Sequence, residues 1–114
     1  ADRDWSSDVC SSDLHAGDIE TSMMLALAPD QVDMGQAKNF DSTSQERAAR
    51  YAVLGNGKSA KLGWHMQDYN PEGAAGNAAA ATAAKGTALV NSAGEQLARL
   101  LQELMLLPLT TVRD

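Results

Sequence analysis

The chain has little of what several functional classes require. Among its 114 residues there is one cysteine, 4% are aromatic and nine are lysine or arginine. The single cysteine, Cys10, excludes a disulfide within the chain. The basic residues are scattered, whereas a nucleic-acid surface needs them clustered around phosphates. No apolar run has the length of a membrane span, and no signal peptide is visible. The sequence therefore predicts a cytoplasmic protein with no nucleic-acid or membrane partner.

Residues 1–14 have no helical or strand periodicity. Within them, residues 4–14 read DWSSDVCSSDL, which is one reading frame of the 3′ part of a common short-read sequencing adapter. We interpret residues 1–14 as a non-native leader, in which Trp5 and Cys10 carry no function, and residues 15–114 as the protein domain. The leader contains four aspartates and one arginine, so it carries three of the six net negative charges of the chain.

The remainder is predicted to be mostly helical. From about Gly86 to Leu107, apolar residues recur at steps of three and four, which is typical of a long amphipathic helix, and Pro108 ends it. Residues 77–85 are rich in alanine and favour a helix. The apolar run of residues 23–27 is predicted to be a buried helix, with Asp18 as its cap.

A second, charged helix is expected at residues 45–51, after a polar capping loop. Residues 61–66 are a candidate short strand, and residues 68–76, with three glycine or proline residues, a structured loop. At most two short strands are expected. That is too few for an independent α/β domain, so the chain is interpreted as the C-terminal part of a larger fold.

Two patterns with possible chemistry have simpler interpretations. Residues 55–59, GNGKS, end like a phosphate-binding loop, but Ala52 stands where that motif needs its first glycine. An ordinary glycine turn is therefore favoured. His65 has no second ligand at a suitable spacing, so it is interpreted as structural or exposed.

His15 and Glu20 are the strongest candidates for chemistry. Five residues turn through about 140° on a helix, so two helical side chains at this spacing would diverge. They converge if His15 lies in the loop and Glu20 in the first helical turn. A carboxylate there could bind a metal beside a histidine that transfers protons at neutral pH. A capping role for both residues is the alternative.

Residues 15–34, HAGDIETSMMLALAPDQVDM, resemble the creatininase family of metal-dependent amidohydrolases, and so do residues 73–77, GAAGN, and the long terminal helix. The resemblance extends over residues 15–112. It implies a three-layer α/β/α fold and hydrolysis of a cyclic or linear amide C–N bond at a binuclear metal site, with zinc and manganese or iron. It also implies that His15 is the proton-transfer residue, that Glu20 is a metal ligand, and that the full-length protein is a homo-oligomer acting on a small amide.

The family's other metal ligands, a Glu-x-His pair, a bridging aspartate and a His-x-Glu pair, are not found in this sequence. We therefore expect the 114-residue chain to be inactive by itself. Asp68 and residues 73–77 are candidates for shaping the substrate pocket, without an assigned role. A non-catalytic alternative is a helical interaction module that docks a partner through its amphipathic terminal helix.

Overall fold

A computed structural model describes residues 13–114 of the chain. Nearly all of the proposed leader lies outside these residues, and so does the prediction that Trp5 and Cys10 carry no function. The described part is mostly helical, with one antiparallel sheet of two strands. The elements are α1 (Asp18–Leu27), β1 (Asn39–Phe40), α2 (Thr43–Arg50), α3 (Met66–Tyr69), β2 (Gly76–Asn77) and α4 (Ala83–Leu106), with 3₁₀ turns at Pro29–Gln31, Met34–Gln36, Ala78–Ala80 and Leu109–Thr111.

Small residues make a close contact between α1 and the first turns of α4. Gly86 is buried, and a Cβ atom there would collide with the carbonyl oxygen of Ser22. Ser22 is fully buried, and its hydroxyl accepts a hydrogen bond of 3.1 Å from the Thr82 N–H. The two helices therefore pack backbone to backbone at this point, which requires glycine in one of them.

The core beside this crossing is small. The buried apolar residues lie in α3 and in the loop that leads to α4: Tyr69, Ala74, Ala75, Ala78 and Ala81. Four of the five are alanines, as the low aromatic content suggests. In the sheet, Phe40 pairs with Gly76 and Asn39 with Asn77, and this joins the loop before α2 to the loop before α4.

Four predictions of local structure are wrong. Helix α1 is not buried, because one side of it has no covering element among residues 13–114; Met24 is 42% and Leu27 66% exposed. The N-cap position of α1 is Gly17, which has no side chain to form a capping bond, and Asp18 is the first helical residue. Residues 61–65 form no strand, since no neighbouring strand pairs with them. The helix predicted from residue 77 is interrupted at residues 81–82, because the Thr82 N–H is bonded to Ser22 instead of to its own helix.

The predicted capped start of α2 and the predicted C-terminal end of α4 are confirmed. Helix α2 starts after Ser42, whose hydroxyl accepts from the Ser44 N–H at 3.2 Å. Helix α4 ends at Leu106, just before Pro108. Within the described residues, no helix has both the length and the apolar character needed to span a bilayer.

Candidate functional site

The loop before α1 is held against the loop before α4. The backbone N–H groups of Leu14 and His15 both donate to the Ala75 carbonyl, at 2.9 and 3.1 Å, and the Ala75 N–H donates to the His15 carbonyl at 2.9 Å. Ala75 is fully buried. His15 is therefore fixed through its backbone, while its side chain stays 55% exposed.

The chain turns sharply between His15 and the helix. Ala16 has a φ of 53°, in the left-handed region that alanine rarely adopts. Two side chains of the first helical turns close around it: the Ala16 N–H donates to the Glu20 carboxylate, and the Thr21 hydroxyl donates to the Ala16 carbonyl at 3.3 Å. The strained turn is thus stabilised by the residues that follow it in the helix.

This turn brings His15 and Glu20 together. The His15 Nδ1 and Glu20 Oε2 atoms are 4.0 Å apart, and the Glu20 side chain is 52% exposed. Both residues line one open depression of about 300 Å³, and its lining also includes Met24 of α1 and Gln31, Val32 and Asp33 of the segment that follows α1. This is the arrangement that convergence requires, with the histidine in the loop and the glutamate in the first helical turn; the roles of the two residues stay predictions.

Asp13 is a residue of this site that the sequence analysis missed, because it was set aside with the leader. Its carboxylate accepts the Ile19 N–H at 3.0 Å, which gives α1 the cap predicted for Asp18. It also lies against Gly17 and Gly76, where no Cβ atom would fit. Burial raises the pKa of the Asp13 carboxyl, although the Ile19 hydrogen bond opposes the change.

The metal-binding capacity of the described residues is limited. Residues 13–114 contain no group of three or more His, Cys, Asp or Glu side chains placed to hold a metal. Catalytic zinc sites commonly use three protein ligands. Glu20 and His15 together offer one carboxylate and one imidazole, so these residues fit only a part of a metal centre.

The other candidate residues have structural partners. Lys58, in the GNGKS segment, directs its ammonium group to the carbonyls of Ala48, at 2.7 Å, and Tyr51, at the end of α2. That supports the glycine-turn interpretation. The backbone N–H of His65 donates to the Asp68 carboxylate at 2.8 Å, at the start of α3. Neither His65 nor Asp68 lines the His15 depression.

Comparison with known proteins agrees with the resemblance seen in the sequence. The family profile described as creatininase, creatinine amidohydrolase, matches residues 1–101. This range includes the proposed leader, whose origin stays a prediction. No curated protein matches the chain.

A solved structure is also similar: the crystal structure of a "putative creatinine amidohydrolase" from Bacteroides fragilis NCTC 9343. It is 32% identical, with a TM-score of 0.66, over 85% of this chain and 36% of that one. The chain thus spans about a third of the length of that protein. The predicted fold class, creatininase-like α/β and mostly helical in this chain, is confirmed, and the chain belongs to the creatininase family.

Proposed function

We propose that this chain is part of a metal-dependent amidohydrolase that hydrolyses a cyclic or linear amide C–N bond of a small molecule. The observation that carries the proposal is the convergence of His15 and Glu20, across the Ala16 turn, on one open depression. In this reaction water adds to the carbonyl carbon, the C–N bond breaks, and a proton passes to the departing nitrogen.

His15 is the proposed proton-transfer residue. Its Nδ1 atom lies on the Glu20 side, so we assign the proton transfer to Nε2, which is the nitrogen farther from that carboxylate. The backbone bonds to Ala75 hold the residue in place while the ring remains accessible. A positioned general acid or base of this kind contributes about 10²–10⁴-fold to a rate.

Glu20 is the proposed metal ligand. When bound, a pair of divalent ions, zinc with manganese or iron, would polarise the carbonyl and activate water. The hydrogen bond from the Ala16 N–H orients the Glu20 carboxylate from one side, and the Glu20 side chain stays half-exposed to the depression. The remaining ligands would come from sequence outside this chain.

The decisive experiment uses the complete reading frame recovered from the genome. A Glu-x-His and a later His-x-Glu upstream of position 15 are expected. The purified protein should contain metal, measured by plasma mass spectrometry, and should hydrolyse at least one member of a panel of cyclic and linear amides. Absence of both metal and turnover would refute the proposal.

Three variants of that protein test the residue roles. His15→Asn should lower kcat by about 10²–10⁴-fold with metal content retained, and Glu20→Gln should lower metal content. His65→Asn is the matched control, since His65 lies outside the depression and asparagine is a good residue at a helix start. Full activity in His15→Asn would contradict the proposed proton transfer.

For the 114-residue chain alone we predict neither stoichiometric metal nor turnover, because residues 13–114 hold no group of three or more His, Cys, Asp or Glu side chains placed to bind a metal. Stoichiometric metal together with turnover in the same assays would contradict this. Cytoplasmic location and homo-oligomer formation by the full-length protein remain parts of the proposal.

One observation favours the interaction-module alternative. Every residue from position 91 to the end of α4 is exposed, and these include Leu97, Leu100, Leu101 and Leu104. If the native reading frame starts near residue 1, and the 114-residue chain is helical and monomeric without metal, the module gains support. Recovery of the upstream metal ligands would favour the enzyme instead.

A further inference from the structure

One side of helix α1 is held by a cluster of polar contacts that involves neither His15 nor Glu20. The Lys85 ammonium lies 2.7 Å from each of the two Asp18 carboxylate oxygens and 2.6 Å from the Ala80 carbonyl oxygen. The Ser22 hydroxyl donates to Asp18 at 3.0 Å and accepts from the Thr82 N–H. The cluster connects residues that are 60 and 67 positions apart in sequence.

The rotation of α1 about its own axis follows from these contacts. Asp18 and Ser22 are four residues apart, so they share the face that meets α4. Glu20 is two residues from Asp18, which places it about 200° around the helix, on the opposite face. That opposite face, with Glu20 and Met24, lines the His15 depression. Any rotation of α1 that loosens the Asp18 face therefore also changes where the Glu20 carboxylate points.

We propose that Lys85 is a positioning residue for Glu20: its ion pair with Asp18 fixes the rotation of α1 and thereby the contact of the Glu20 carboxylate with the His15–Ala16 turn. This inference depends on the proposed function for its relevance to catalysis. The link between the Asp18 face and the Glu20 face of α1 does not depend on the proposed function and can be tested without it.

Two features make Lys85 suited to this task. Its three contacts come from two different segments, α1 and the 3₁₀ turn at Ala78–Ala80, so one ammonium group holds both. The pair is also more enclosed than an ordinary surface pair: the Lys85 and Asp18 side chains are 40% and 31% exposed. The pair of Lys38 and Glu72 has the same distance, 2.7 Å, with side chains 60% and 51% exposed, and provides a natural control.

The test uses hydrogen exchange by NMR on the 114-residue chain, since the Ala16 amide donates directly to Glu20. In Lys85→Met, which keeps an unbranched side chain one atom shorter and removes the charge, Ala16 should lose roughly tenfold more protection than the amides of residues 89–97 in α4. The Ala16 amide proton should also shift, as its acceptor moves. Lys38→Met should leave both regions within about twofold of the wild type.

A purely structural role would lower the protection of both regions equally, or would leave Ala16 unchanged, and either result overturns the proposal. If Lys85→Met does not fold, Asp18→Asn gives the same comparison, because it removes the charge while keeping an oxygen acceptor for Ser22. If neither variant folds, Lys85 is required for folding and the narrower positioning role is wrong. The readout needs no metal and no turnover, so failure of the proposed hydrolase function is a separate result.

Discussion

The two ends of α4 differ in composition and in surroundings: the first turns consist mostly of small residues, and the second half is rich in leucine. At its first turns, Gly86 is buried against Ser22 and Lys85 binds Asp18, so this end is fixed to the loop and helix that carry His15 and Glu20. The other end, from residue 91 onward, is exposed along its whole length despite its leucines. Apolar periodicity alone therefore does not fix this helix. Close backbone contact and a polar cluster hold the end that supports the site.

The largest expected effect comes from closing the space at that contact. Gly86→Ala gains about 1 kcal/mol of helix propensity, but its Cβ collides with the Ser22 carbonyl, and overpacking against backbone costs up to about 3 kcal/mol. We expect a net loss of about 2 kcal/mol in the free energy of unfolding, measured by urea titration.

Gly94→Ala is the matched control for Gly86→Ala. It lies in the same helix, and a Cβ there meets nothing within 4 Å. It should stabilise the chain by about 1 kcal/mol, because only the helix propensity changes. If both glycine variants have the same effect, the two ends of α4 do not differ in the way described.

The next prediction compares the loss of unfolding free energy when a small buried side chain and a large exposed one are truncated. Ser22→Ala removes one oxygen but leaves the Thr82 N–H without its acceptor, and we expect a loss of about 1.5 kcal/mol. Leu101→Ala removes three carbons from a residue that is 53% exposed, and we expect a change within about 0.5 kcal/mol. A larger loss for Leu101→Ala would show that the outer end of α4 is covered in solution, for example by a second copy of the chain.

Local signals in the sequence were sufficient to predict α4 with its C-terminal end, and α2 with its capped start. The step of three and four residues and Pro108 define the long helix, and Ser42 marks the start of α2. Helix geometry also gave the condition under which His15 and Glu20 would converge, a histidine in the loop and a glutamate in the first helical turn, and their side chains lie 4.0 Å apart in that arrangement.

Contacts between distant segments could not be read from the sequence. Residues 77–85 favour a helix by composition, yet the Thr82 N–H is taken by Ser22, sixty residues earlier, and α4 starts only after it. Residues 61–65 have strand-like character, but a strand needs a partner, and Trp64 instead packs edge-on against Tyr69 with ring centroids 4.4 Å apart. Asp18 has the residue type of a helix cap, but its carboxylate is paired with Lys85, which is 67 positions later in the sequence.

The smallest effect concerns Asp13, which lies at the fixed end of the molecule. Burial raises the pKa of its carboxyl in the folded chain, so the folded state favours the protonated form. The resulting stabilisation is complete at pH values below the ordinary carboxyl range and is lost as the pH rises through the folded-state pKa. Asp13→Asn cannot ionise and keeps an oxygen for the Ile19 N–H. Its free energy of unfolding should therefore increase relative to the wild type as the pH rises from about 4 to 7.

Urea titrations at several pH values check this expectation, with Glu103→Gln as the control for losing one carboxylate on the exposed end of α4. The increase with pH in the free energy of unfolding, relative to the wild type, should be larger for Asp13→Asn than for Glu103→Gln, because Asp13 is packed against Gly17 and Gly76. An equal gain in both variants would mean that overall charge, not burial, sets the response. A decrease for Asp13→Asn would mean that the ionised carboxylate stabilises α1 through the Ile19 N–H by more than its burial costs, and the ionised group would then be the form that holds the His15 turn in place.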